Sequence, residues 1–278
     1  MHPDRIVIGG IDQRSVDALS ALYTDFRDVD LIQTNNKTAE MIKYTSNALL
    51  ATMISFANEI GNLCASLGGV DVVDVMRGVH KSNYLSPVQP DGRRVVAPIT
   101  SFLEAGCGFG GSCLPKDVKA LIAHGEKAGN SMQLLSSVIQ TNEQQHSQVI
   151  ALLKKHFRSL EGVRVTVLGL AFKPDTDDIR ESPAIPVVKA LLAEKARVKA
   201  YDPVAEPHAK KLFGDQLALC DRLSDALEDS QAIIIVTKWE EFRRVPELIR
   251  NYDPQPVLID GRRFLDKAGI QIYEGIGL

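Results

Sequence analysis

A cysteine between a run of glycines and a helix start is the feature of this sequence best suited to covalent chemistry. Residues 106–117 read Gly-Cys-Gly-Phe-Gly-Gly-Ser-Cys-Leu-Pro-Lys-Asp, with four glycines among the first six. Glycine takes backbone angles closed to other residues and lets a ligand approach the main chain. Cys113 follows the glycines, then Pro115, Lys116 and Asp117, and from Asp117 the pattern turns helical. A helix N-terminus and nearby lysines favour thiolate, whereas Asp117 opposes it, so the balance points to an exposed, activated nucleophile. A lone cysteine is more often an inert small hydrophobe; here the glycines, the lysine and the aspartate favour reactivity.

Lys43 and Asn47 form a second pair, four residues apart within a long helical pattern and hence on one face. Each is costly beside a core unless it has a partner. Their spacing alone suits a solvated face as well as a site.

The elements that must carry these residues follow from periodicity. Residues 5–10 and 31–34 read as short strands around a helix at 13–25 whose apolar face is Val16, Leu19, Leu22 and Tyr23. A helix over 36–67 is apolar nearly all round, which predicts cover on most sides. A short helix spans 71–79, and 80–98 reads as a loop or hairpin turning at Asp91-Gly92. A helix over 117–127 is stopped by Gly129-Asn130. Ser131 is the expected N-cap of a long helix reaching Phe157, polar from Gln140 to Gln148 and read as a strut. Strands at 163–168, 197–201, 232–237, 256–260 and 270–273 then alternate with helices at 183–194, 205–213, 222–229 and 240–250. The class is α/β: a central helical unit followed by a doubly wound parallel-sheet, Rossmann-like domain, which binds ligands beyond the carboxyl ends of its strands.

The loop after the first strand of that sheet holds one glycine, Gly169, so the G-x-G-x-x-G dinucleotide fingerprint fails. Lys173 and Arg180 bracket its acids, and a cation at each end suits a phosphate or nucleotide. Asp202 ends the next strand, and Asp260-Gly-Arg-Arg-Phe-Leu-Asp266 gives a third strand-end loop with two arginines.

Composition limits the classes. A net charge of −3 gives no support for a nucleic-acid partner, and no uninterrupted apolar run reaches membrane-span length. The N-terminus lacks a signal-peptide core. Four cysteines without CxxC spacing point to neither a metal site nor a disulfide framework, so a cytoplasmic, reduced protein is expected.

GFGGSCLPKD resembles the active-site segment of the UDP-glucose/GDP-mannose dehydrogenase family. AEMIKYTSNALLATMISFANE resembles that family's central helix, and GLAFKPDTDDIRES, AYDP, TKWEEF and DGRRFLD resemble its UDP-sugar-binding domain. The similarity runs over essentially the whole chain and is greatest to members that oxidise UDP-glucose to UDP-glucuronate. It implies two NAD-dependent oxidations at C6 with a thioester on Cys113, an oxyanion stabilised by Lys43 and Asn47, and water activated by Asp117 with Lys43. By the same resemblance Phe102, Leu103, Phe109, Gly110, Lys173 and Arg262 bind the sugar nucleotide, Lys116 and Arg180 face NAD, and the central helices form a homodimer. It divides the chain into 1–34, the end of an NAD-binding domain, 35–157, a central helical domain with the cysteine loop, and 158–278, the UDP-sugar domain.

Two family features are not matched. The catalytic glutamate of a PEFL-x-EG motif does not precede residue 1, and the arginine segment ahead of the glycine loop reads Ala97-Pro98-Ile99-Thr100. Arg93 and Arg94 are the alternatives for that arginine. The expected NAD-binding domain is thus incomplete and the chain alone is expected to be inactive. The competing reading is a non-catalytic nucleotide-sugar-binding or assembly module, or a dehydrogenase for GDP-mannose or a UDP-N-acetylhexosamine.

Overall fold

A computed structural model describes residues 3–278. Contacts divide the chain into two units, Met1–Leu49 and Leu50–Leu278. In the first unit, strand β1 (Arg5–Gly10) pairs in parallel with β2 (Asp30–Asn35) across helix α1 (Gln13–Ala21). Asp12 caps α1 by accepting the Ser15 N–H at 2.7 Å. Val16 is the buried residue of α1; Leu19, Leu22 and Tyr23 are exposed, and the helix is shorter than its periodicity predicts. Two strands and one helix offer too little surface to cover that face.

Helix α2 (Asn36–Leu67) has the bounds its sequence predicts and begins in the first unit. Cover on most sides is not what the structure shows: Phe56, Leu63 and Leu67 are each at least half exposed. By length and composition α2 is also apolar enough to cross a membrane. Scanning for unbroken apolar runs misses it because serines, threonines and asparagines interrupt the apolar residues while charges are few. The central helix of a water-soluble protein meets the same criterion.

In the second unit, α3 (Val72–His80) follows, capped by Asp71, and a tight hairpin turn bonds Gln89 to Arg93. Helix α4 (Leu114–Lys127) starts three residues earlier than its pattern suggests, because Pro115 is tolerated in the first turn, where its missing N–H costs nothing. Helix α5 (Gln133–Lys154) begins after Met132, held left-handed at φ 45°, so Ser131 is not its cap. Its polar middle is no solvated strut. Gln145, fully buried, exchanges amide hydrogen bonds with Asn62 of α2.

Strands β3 (Arg164–Leu168), β4 (Arg197–Tyr201), β5 (Ala218–Leu219), β6 (Ala232–Ile235), β7 (Val257–Asp260) and β8 (Tyr273–Gly275) form one parallel sheet in the order β5-β4-β3-β6-β7-β8. β5, two residues long, leaves no periodic signal. Helices α6 (Ala184–Ala193), α7 (Glu206–Phe213), α8 (Leu223–Leu227) and α9 (Val245–Leu248) make the crossovers. The near-continuous apolar strands, such as Ala-Ile-Ile-Ile at β6, are buried because helices cover both faces. The strand order reverses between β3 and β6, which opens a crevice at the carboxyl ends of those strands.

Candidate functional site

The glycine loop is held from four directions within the second unit. The Gly106 N–H donates to Asn58 Oδ1 of α2 at 2.8 Å. The Cys107 N–H donates to the Gly261 carbonyl at 2.8 Å, and the Gly111 N–H to the Arg180 carbonyl at 2.9 Å. Asn142 of α5 grips one residue twice: its Oδ1 accepts the Phe109 N–H at 2.8 Å and its Nδ2 donates to the Phe109 carbonyl at 3.0 Å. Two glycines are required here. Gly108 has φ +105°, and at Gly110 a Cβ would stand 2.1 Å from the Glu181 carbonyl oxygen.

Cys113 ends this loop as the N-cap of α4, with an exposed side chain whose Sγ is 3.9 Å from Ser112 Oγ. Exposure and helix start agree with the sequence. Cys107 differs from its loop neighbour: it is buried, and burial pushes its thiol up despite Arg262 nearby. Lys116 puts its ammonium 2.5 Å from the buried Asp117 carboxylate, so the lysine expected beside the thiol is paired within the first turn. Arg180 forks onto Asp178, and that guanidinium holds the Asp178 carboxyl below its usual range. Arg180 is itself raised, chiefly by the Asp178 hydrogen bond, with a smaller contribution from Cys113.

Cys113 opens into a cavity of about 370 Å³ in the sheet crevice, lined also by Phe102, Phe109 and Gly110 and by the cations Lys173, Lys238 and Arg262. Leu103 is buried and does not line it; its carbonyl accepts from His80 at 3.0 Å. Each cation is delivered by a strand-end loop. Lys173 follows β3 and lies 5.7 Å from the Phe172 ring centroid. Lys238 follows β6 and pairs with Glu104 at 2.5 Å. Arg262 follows β7 and donates to the Val236 and Gly108 carbonyls at 2.5 and 2.8 Å, tying the sheet edge to the glycine loop. Asp260, fully buried, sets that turn by accepting the N–H groups of Arg262, Phe264 and Leu265 and the Tyr273 hydroxyl. Burial, with Asp260 beside it, raises Tyr273 well above its ordinary value. Three cations around an apolar-walled crevice suit a diphosphate, and the thiol at its rim suits addition to an electrophilic carbon.

Lys43 and Asn47 lie in the first unit, on one face of α2. Asn58, Asn142 and Lys238 are the site residues that sequence reasoning missed. Their one signal is an amide on a long helix, or a cation just past a buried strand.

The same sheet does not fit a dinucleotide. Asp202, at the end of β4, accepts the N–H groups of Leu170, Ala171, Val204 and Ala205 and the Trp239 indole. The amides that would cradle a phosphate and the acid that would meet a ribose are bonded to one another.

The central-domain model of the UDP-glucose/GDP-mannose dehydrogenase family matches residues 37–144, and its UDP-binding-domain model matches 166–267. UDP-glucose 6-dehydrogenase TuaD of Bacillus subtilis is 39% identical over 282 residues, covering 100% of this chain and 58% of the relative. UDP-glucose 6-dehydrogenase of Pseudomonas aeruginosa is 38% identical over 99% of this chain and 61% of the relative. The solved UDP-glucose dehydrogenase of Pyrobaculum islandicum superposes with a TM-score of 0.85 at 36% identity, covering 99% of this chain and 59% of that one. The chain thus spans about three fifths of the length of the curated relatives it matches. On the cysteine loop, the cationic crevice and these matches together, it belongs to the UDP-glucose/GDP-mannose dehydrogenase family and carries that family's central and UDP-binding domains.

Proposed function

We propose that this chain supplies the sugar-nucleotide site and the nucleophile of a UDP-glucose 6-dehydrogenase. The carrying observation is that Cys113, Lys173 and Arg262, brought from three distant segments, line one cavity in the crevice of a parallel sheet. In this reading Lys173, Arg262 and Lys238 bind the diphosphate, and Phe102, Phe109 and Gly110 enclose the rest of the nucleotide sugar. The sugar's C6 is directed at Cys113. Its thiolate adds to a C6 aldehyde to give a thiohemiacetal, and water later cleaves the thioester to release the carboxylate. Lys43 and Asn47 are proposed to stabilise the oxyanion and Asp117 to handle the water's proton. The two oxidations that join these steps belong to NAD. The described sheet does not fit NAD; Lys116 and Arg180 are the residues of this chain proposed to face it. The chain alone would not turn over.

The names of the relatives favour UDP-glucose over other sugar nucleotides. The exposed row Phe56, Leu63 and Leu67, with Ile60 half-buried between them, supports the homodimer reading, because such spacing matches a helix–helix seam. Isothermal titration of the purified chain with UDP tests the central part. One equivalent is expected to bind, and Lys173→Ala and Arg262→Ala should each weaken it about tenfold or more, the scale of a lost hydrogen bond to a charged group. Absence of UDP binding, or native affinity in both variants, would remove the reading.

A further inference from the structure

A second concentration of positive charge lies beside this site. A cavity of about 530 Å³ opens between α3, the hairpin segment 81–96 and the loop after β7, over an apolar floor of Val72, Met76 and Phe264. Five arginines and two lysines line it against one carboxylate, Glu104. Four of these cations meet an acid: Arg77 with Asp74, Arg243 with Glu240, Arg263 with Asp71, and Lys238 with Glu104. Cations therefore outnumber carboxylates seven to four even when every ion-pair partner is included. Among the described residues, Lys81, Arg94 and Arg262 meet no carboxylate within ion-pair distance. Arg94 donates instead to the Lys81 and Ser86 carbonyls at 2.7 and 2.6 Å, which fixes its guanidinium at the cavity wall.

Ser86 supplies an independent observation. It lines the same cavity, is 1% exposed, and its hydroxyl has no hydrogen-bond partner. An unpaired buried hydroxyl is destabilising and uncommon, so its presence calls for a cause. A phosphate oxygen would accept from it.

We propose that this cavity is a second anion site, for a ligand carrying two or more adjacent phosphate groups. It adjoins the nucleotide-sugar cavity through Glu104, Ala105, Lys238 and Arg262, whereas Arg77, Lys81, Ser86 and Arg94 line the second cavity and not the first. Guanidinium forks match phosphate oxygens two at a time, and Lys81 adds a point charge. The excess of cations and the size of the cavity suit a string of phosphates better than one. Its position against Arg262 makes its occupancy a means of adjusting the neighbouring site.

The test is calorimetric titration of the 278-residue chain with inorganic tripolyphosphate, with and without saturating UDP. With UDP filling the neighbouring cavity one equivalent is still expected to bind, with affinity falling steeply as salt is raised. Arg94→Ala and Ser86→Ala should each weaken it about tenfold, the scale of a lost charge-assisted hydrogen bond, and Ser86→Ala should leave UDP affinity unchanged. Ser86→Ala removes a hydroxyl that bonds to nothing in the protein, so it keeps the test decisive if Arg94→Ala fails to fold. No uptake of tripolyphosphate, its abolition by UDP, or native affinity in Ser86→Ala would each overturn the proposal. Uptake sensitive to Ser86→Ala in a chain that failed to bind UDP would sustain this site while removing the reading of its neighbour.

Discussion

Phe109 is gripped at both polar atoms of its main chain by one amide, and that grip sets where Cys113 emerges. Asn142→Ala removes two hydrogen bonds from a part-buried site and should cost about 2 kcal/mol in thermal or denaturant unfolding. Asn142→Asp keeps the acceptor but sets an oxygen against the Phe109 carbonyl, and should cost at least as much. In both variants the rate at which iodoacetamide modifies Cys113 should change while Cys64, buried on α2, stays protected; an unchanged Cys113 rate in a destabilised protein would separate the clamp from the thiol. Cys113, Lys173 and Arg262 were legible in the sequence because reactive or cationic residues beside glycines or strand ends have few other uses. Asn58 and Asn142 were not, because their partners are main-chain atoms 48 and 33 residues away and no local pattern records that. The burial of Cys107 has the same kind of source: it comes from the Gly261 turn, far off in the chain.

At the level of elements, α2 was readable in extent but not in cover, since periodicity reports that a face is apolar and not what covers it. Phe56→Glu tests the cover directly. If the Phe56, Leu63 and Leu67 row meets a second copy, the native chain sediments as a dimer at micromolar concentration and the variant as a monomer with its fold intact. A native monomer would contradict it. Helix α3 is joined to the sheet end by Arg263, whose fork donates to both Asp71 oxygens at 2.9 and 2.7 Å. Burial acts to raise Asp71, but Arg263 and the Val73 N–H outweigh it, and the carboxyl ends below its ordinary 3.8. A carboxyl depressed on folding stabilises fully above its unfolded value and loses that contribution as pH falls through the folded one. Asp71→Asn should therefore cost about 3 kcal/mol at pH 7, the low end for breaking a buried pair because Asp71 keeps some contact with water. The gap to the native protein should shrink below about pH 4. A gap independent of pH would show that the ion pair is not its source.

For the whole molecule, the parallel sheet followed from alternating strand and helix patterns, and its crevice from the reversal of strand order between β3 and β6. What the pattern left open was the use of its acids. Asp202 and Asp260 stand at strand ends, and five and four donors respectively make them the fasteners of the loops that deliver Lys173 and Arg262. A rigid frame around an exposed thiol is the arrangement a covalent mechanism needs. The central claim is that a sugar nucleotide lies in this cavity with its sugar against Cys113. The rate of Cys113 alkylation by iodoacetamide, followed by mass spectrometry with UDP-glucose present, measures it most directly. At ten times its Kd, UDP-glucose should slow the reaction roughly tenfold, in proportion to the free fraction, and more than UDP at equal occupancy. An undiminished Cys113 rate in a chain saturated with UDP-glucose would contradict the account.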